Sequence, residues 1–126
     1  MKIDKIDHLV LTVRDIDDSC GFYTRALGMQ AITFGDNRRA LAFGDCKINL
    51  HQAGKEFAPR ALHPVPGSAD LCLITSEPLS DLIAALRVQG IAVLEGPVAR
   101  TGAAGPLVSI YLRDPDGNLL EISNQK

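Results

Sequence analysis

The chain repeats itself once. Asp70 follows His8 by 62 positions, and Gly90 follows Gly28 by the same interval. Around those anchors both halves read strand, helix, strand, strand, strand. A supersecondary plan carried twice predicts two related modules. The first covers residues 3–53 and the second 69–123, with a linker over 54–68. The linker region, AGKEFAPRALHPVPGS, has three prolines and no sustained period, so it should run extended.

Local signals fill in each module. KIDHLVLTV (5–13) is short and rich in Leu and Val, as a strand should be. A helix follows, with Asp15 or Asp17 as its cap, Phe22, Ala26 and Leu27 at helical spacing, and Gly28 at a left-handed stop. MQAITF reads as a strand, GDNR as a turn, and RALAFG and KINLHQ as two strands joined at Gly44-Asp45. In the second half ADLCLIT is a strand, and SEPLSDLIAALRVQG is a helix with Pro78 near its first turn and Gly90 at its end. IAVLEG is predicted as a strand and GPVARTGAAGPLVS as a long loop, before the strands SIYLRD and NLLEIS around the turn DPDGN. Placing the extra residues of the second half in that loop puts His51 and Glu121 at matching last-strand positions.

In the first strand His8 shares a face with Ile6, Val10 and Thr12, while Leu9, Leu11 and Val13 share the other. A strand apolar on both faces is covered on both. The expected fold is therefore α+β: two βαβββ modules forming a curved mixed sheet, with helices on its convex side and a cavity on its concave side.

Within that frame Glu121 is the residue that needs explaining, because it stands among Leu119, Leu120 and Ile122. A lone carboxylate buried among apolar groups costs several kcal/mol or more. It must face water, take up a proton, or have a cationic partner. His8, His51, Asp70 and Glu121 all fall on first and last strands, and two imidazoles with carboxylates suit a divalent first-row metal with coordination positions left open. Each residue also has an ordinary reading. His8 can be a hydrogen-bonded core histidine, His51 a hairpin-edge residue, Asp70 a turn cap, and Glu121 the partner of Arg113 or Arg39. In the loop VARTGAAG, Arg100 and Thr101 can bind an anionic or oxygenated substrate, or belong to a plain connection.

Composition excludes several classes. A chain of 126 residues fits one domain, and a net charge of −2 without a basic block argues against nucleic acid. No apolar run reaches the ~18 residues of a membrane span, and the start lacks a signal peptide's apolar core, so the expected location is the cytoplasm. Cys20, Cys46 and Cys72 lie 26 residues apart, which suits neither a disulfide framework nor a CxxC motif.

DHLVLTV, FYTRALGM, SIYLRDPDGNLLEIS and the two-module plan together resemble the vicinal oxygen chelate superfamily: glyoxalase I, fosfomycin and bleomycin resistance proteins, and extradiol dioxygenases. The resemblance covers residues 3–123. FGDCKINLHQAGKEFAPRALHPVPGSADLCLIT and EGPVARTGAAGPLVSIYLRDPDGNLLEIS narrow it toward the group called glyoxalase domain-containing protein 5 and bacterial relatives labelled as virulence or dioxygenase-related proteins. It implies a metal-binding cup with His8, His51, Asp70 and Glu121 at the ligand positions, and one divalent ion: zinc, nickel, cobalt, manganese or iron(II). It further implies a homodimer and an enzyme acting on vicinal oxygens of a small substrate, glyoxalase-like with Glu121 as proton shuttle, or ring-cleaving. A bleomycin-resistance-like protein that sequesters a small molecule without catalysis is the alternative. The glyoxalase I pattern has glutamate where His51 stands and histidine where Asp70 stands.

Overall fold

The computed structural model describes residues 1–126. They form two compact units, Met1–Gly67 and Ser68–Lys126. Unit 1 holds β1 (His8–Val13), α1 (Ile16–Leu27), β2 (Gln30–Phe34), β3 (Arg38–Phe43) and β4 (Cys46–Gln52). Unit 2 holds β5 (Asp70–Ile74), α2 (Leu79–Val88), β6 (Glu95–Gly102), β7 (Gly105–Arg113) and β8 (Leu119–Gln125). The βαβββ plan appears twice, as two four-stranded mixed sheets ordered β1-β4-β3-β2 and β5-β8-β7-β6. In each the first strand runs parallel to the last, and the other pairs are antiparallel.

The start of α1 is set by Asp15, whose carboxylate accepts the Asp18 N–H at 2.9 Å, and its end by Gly28 at φ 66°. Between those caps Cys20, Tyr23 and Ala26 are buried, and the helix packs on β2, β3 and β4. Leu11, Val13, Leu41, Ile48 and Leu50 are also buried. Strand alternation places these sheet residues on one face. Each such residue, fully buried, contributes roughly 1.5 to 3 kcal/mol. In unit 2, Leu79 and Leu86 of α2 are buried, as are Leu120 and Ile122 of β8, on which α2 packs. One face of each sheet is thus committed to its helix. The opposite face carries the polar residues.

Two expectations fail along one stretch. IAVLEG is not a strand, and GPVARTGAAG is not a loop: β6 begins at Glu95 and pairs with β7 out to Gly102 opposite Gly105. Glycine and proline signalled a loop, but here they serve a hairpin. Gly96 lies where the β6–β7 register shifts, Gly102 and Gly105 close the hairpin, and Pro97 sits on an edge strand where its missing N–H is tolerated. No helix is long and apolar enough to cross a membrane.

Candidate metal centre

Register decides which residues correspond. His8 lies opposite Lys47 in unit 1, and Asp70 lies opposite Leu119 in unit 2. Glu121, two residues past Leu119, therefore matches Asn49, and His51 matches Ser123. The expected equivalence of His51 with Glu121 fails by two positions. A slip of two preserves the face but moves a side chain roughly 6 to 7 Å along the strand.

Asn49 is the residue that sequence reasoning missed. It is 5% exposed, on the His8 face of the sheet, and its Oδ1 has no hydrogen-bond partner. An orphaned buried acceptor costs about 1 to 3 kcal/mol, so the position is made for a donor or a cation.

His8 begins β1 half exposed, and its Nδ1 lies 2.8 Å from Asp7 Oδ2. The imidazole donates to the carboxylate, and the hydrogen bond holds the Asp7 carboxyl below its usual range. With Nδ1–H so engaged, the neutral ring presents its lone pair at Nε2. This is the tautomer a metal-ligating histidine needs, with the outer carboxylate that commonly fixes it.

His51 is placed differently. Only 3% exposed, it sits edge-on to Phe57, and its Nε2 lies 3.2 Å from Arg38 Nη2. A guanidinium can only donate, so Nε2 is the acceptor and the proton of the neutral ring resides on Nδ1. Burial first, and then the Arg38 charge, lower the His51 pKa, against a smaller opposing pull from Glu56. The nitrogen lone pair is already spent.

That depression has a sign. Below about 6.5 the unfolded chain protonates this histidine while the folded chain resists, so stability falls as pH drops from there through the folded-state pKa. Thermal melts from pH 7.5 to 5 should show this loss, with a shallower slope in His51→Asn. Nitrogen-15 spectra should report a neutral Nδ1–H ring at pH 6.5, and a protonated His51 there would contradict the geometry.

In unit 2, Glu121 pairs with Cys72 on β5 and Tyr111 on β7. Its Oε2 accepts from Ser109 Oγ at 2.7 Å, with Ser123 Oγ at 3.5 Å. Both serines are fully buried, their oxygens are 2.6 Å apart, and Cys72 Sγ lies 3.4 Å from Ser123 Oγ. The Ser109 hydroxyl donates to the carboxylate, and Ser123 and Cys72 extend the hydrogen-bonded cluster beside it. Burial raises the Cys72 pKa, which keeps it a thiol donor. Glu121 is thus partly buried, with hydroxyl donors on its Oε2. Asp70 is exposed, one diagonal away on the same sheet face.

Arg100, expected to meet substrate, is engaged by protein groups. Its Nε donates to Tyr111 Oη at 2.9 Å, Nη1 to the Ala99 carbonyl, and Nη2 pairs with Glu95 at 3.2 Å. Thr101 is exposed on β6, opposite Pro106.

Within neither unit do three His, Cys, Asp or Glu side chains group closely enough to hold an ion. The donors nevertheless sort by their surroundings. His8 and Glu121 are each oriented by a hydrogen bond with a coordinating atom to spare, Asn49 has an unused oxygen, and His51 has its Nε2 bonded to a cation. His8, Asn49 and His51 lie in unit 1 and Glu121 in unit 2.

The family profile of the glyoxalase/bleomycin resistance protein/dioxygenase superfamily matches residues 5–122. The chain belongs to that superfamily. It is 59% identical over 123 residues to virulence protein STM3117 of Salmonella typhimurium, covering 98% of this chain and 85% of that one. The crystal structure of STM3117 superposes with a TM-score of 0.98 over the whole of both chains. Glyoxalase domain-containing protein RDO1 of Mycosarcoma maydis is 54% identical, over 98% of this chain and 70% of that one. The antibiotic-binding protein TnmS3 of Streptomyces sp. CB03234, at 22% identity, full coverage of this chain and 99% of that one, and a TM-score of 0.76, shares the fold. These relatives support the superfamily and a likeness to STM3117 and RDO1; they do not single out glyoxalase domain-containing protein 5.

Proposed function

We propose that this protein is a divalent-metal-dependent enzyme acting on a small substrate with vicinal oxygens, with His8 and Glu121 as metal ligands. Asn49 and Asp70 complete the candidate set. The observation that carries the reading is the Asp7–His8 pair: a carboxylate holds Nδ1–H and leaves Nε2 as the free donor. When bound, a divalent ion supplies Lewis-acid stabilisation of negative charge developing on the substrate's oxygens. Glu121 carries the proton-transfer role. Ser109 fixes one carboxylate oxygen; the other would bind the ion and, once free of it, take a substrate proton and return it. Tyr111, cross-strand from Glu121, places an aromatic wall beside that carboxylate. The homodimer implied by the superfamily resemblance is retained in this reading.

Chelator-stripped protein titrated with Mn²⁺, Ni²⁺ or Zn²⁺ tests it. About one equivalent should bind per chain, His8→Ala and Glu121→Gln should each abolish measurable binding, and Asp7→Ala should weaken it by about 10- to 100-fold, as loss of an outer-shell partner does. Unchanged affinity in both His8→Ala and Glu121→Gln would overturn the assignment. Metal-free protein that still takes up a small ligand would support sequestration.

A further inference from the structure

The His8 face of the unit 1 sheet carries a second feature, which the metal ligands do not use. Arg38 on β3 lies between two aromatic rings, its Cζ 5.2 Å from the Phe34 centroid and 4.8 Å from that of Phe57. Lys47 on β4 also bears on Phe34, with Nζ 3.6 Å from the ring centroid. Between them, alternation and register put Ala40 and Ala42 on the same face. Two methyl groups leave a low floor across which the Lys47 stem can lie, with its ammonium brought up to the Phe34 ring.

Two cations thus share one ring, and neither forms an ion pair with a carboxylate. The nearby acids are occupied. Asp7, close enough to feel Lys47, hydrogen-bonds His8, and Glu56, which acts on His51, accepts the Gly54 N–H. Arg38 gives one N–H to His51 and retains others. Most surface cations face water alone, but these two are half-buried and bear on the same aromatic ring. Arg100 offers the contrast: its charge is matched by Glu95.

We propose that Arg38 and Lys47 form an oxyanion site, and that the ligand is a small molecule bearing a phosphate, phosphonate or carboxylate group. The planar Arg38 fork takes two oxygens side by side, held rigid by the flanking rings, while Lys47 adds a point charge. Lys47 is the cross-strand neighbour of His8, so the anionic end lies on the same face as the proposed metal ligand. This names the charge of the substrate for the site proposed above, and rests on that reading only for the claim that the anion is a substrate.

The test uses chelator-treated full-length protein and two probes, inorganic phosphate and phenyl phosphate, in about 0.1 M NaCl, where exposed long-range charge effects are largely screened. The side-chain resonances of Arg38 Nε–H and Lys47 Cε report the site. Both should shift together and saturate. Arg38→Gln, which keeps a donor for His51, and Lys47→Met, which keeps the stem over the ring, should each weaken the probes by at least about tenfold, with melts near those of the wild type at about pH 7.5, where His51 is neutral in both folded and unfolded chains. Absence of shifts at both residues, or wild-type affinity in both variants, would overturn the proposal. Because no metal is present, failure here leaves the metal assignment standing, and failure of metal binding leaves this result intact.

Discussion

Gly96→Ala should cost about 3 to 5 kcal/mol and lower the thermal midpoint by more than about 10 °C. Gly96 has φ 108°, a conformation L side chains rarely adopt, and a Cβ built there would lie 2.3 Å from the Ser109 carbonyl oxygen and 2.9 Å from Ile110 Cα. Backbone atoms cannot swing aside as a side chain can. Relief requires β6 and β7 to separate where their register already shifts. Ser109 is the donor to Glu121, so the displacement should disturb the proposed metal ligand as well as the fold. Gly44→Ala is the control. Gly44 also has positive φ, at 51°, but its Cβ would meet nothing within 4 Å, so about 1 to 2 kcal/mol is expected. Chemical denaturation of both variants separates the clash from the dihedral cost, and equal losses would contradict the close approach.

Asp114→Ala should cost about 3 to 4 kcal/mol, through the turn that positions Glu121. The Asp114 side chain is almost wholly buried. Its Oδ1 accepts the N–H groups of Asp116 and Asn118, each at 2.9 Å, and its Oδ2 accepts from Asn118 Nδ2 at 2.8 Å. Asn118 in turn accepts the Ala69 N–H at 2.8 Å, and Leu119 N–H reaches the Ala69 carbonyl at 3.0 Å. One carboxylate therefore ties the DPDGN turn to the entry of β5 and fixes Asp70 opposite Leu119. Alanine leaves buried donors of Asn118 without their acceptor. Asp114→Asn keeps an oxygen for the backbone N–H groups and should lose about half as much. Urea denaturation gives both values; a loss below about 1 kcal/mol in the alanine variant would show that the turn holds itself.

How far the sequence reaches can be judged from these same residues. The repeat, the caps at Asp15 and Gly28, and the DPDGN turn are local chemistry, and all three hold in the structure. Glycine and proline in GPVARTGAAG misled because the same residues that open a loop also make a bulge, a hairpin end and a tolerant edge strand. The Asn49 correspondence was hidden for another reason. Histidine and glutamate attract attention as metal ligands and asparagine does not, and the register that matches Asn49 to Glu121 is set by pairing between strands far apart in the chain. The tautomers of His8 and His51 were also beyond reach, since each depends on a partner, Asp7 next door or Arg38 a strand away, whose direction only coordinates give. Likewise the hydroxyl pair that steadies Glu121 comes from β7 and β8 together, and no spacing along the chain announces it.

Uniform nitrogen-15 labelling of histidine, followed by titration of metal-stripped protein with Co²⁺, tests most directly whether His8 is a metal donor. The paramagnetic ion should shift or erase the Nε2 resonance of His8 at about one equivalent, while that of His51 keeps its signature as acceptor from Arg38 and only relaxes faster. Loss of the His51 Nε2 bond with His8 unaffected would contradict the account, as would a titration in which no histidine nitrogen responds.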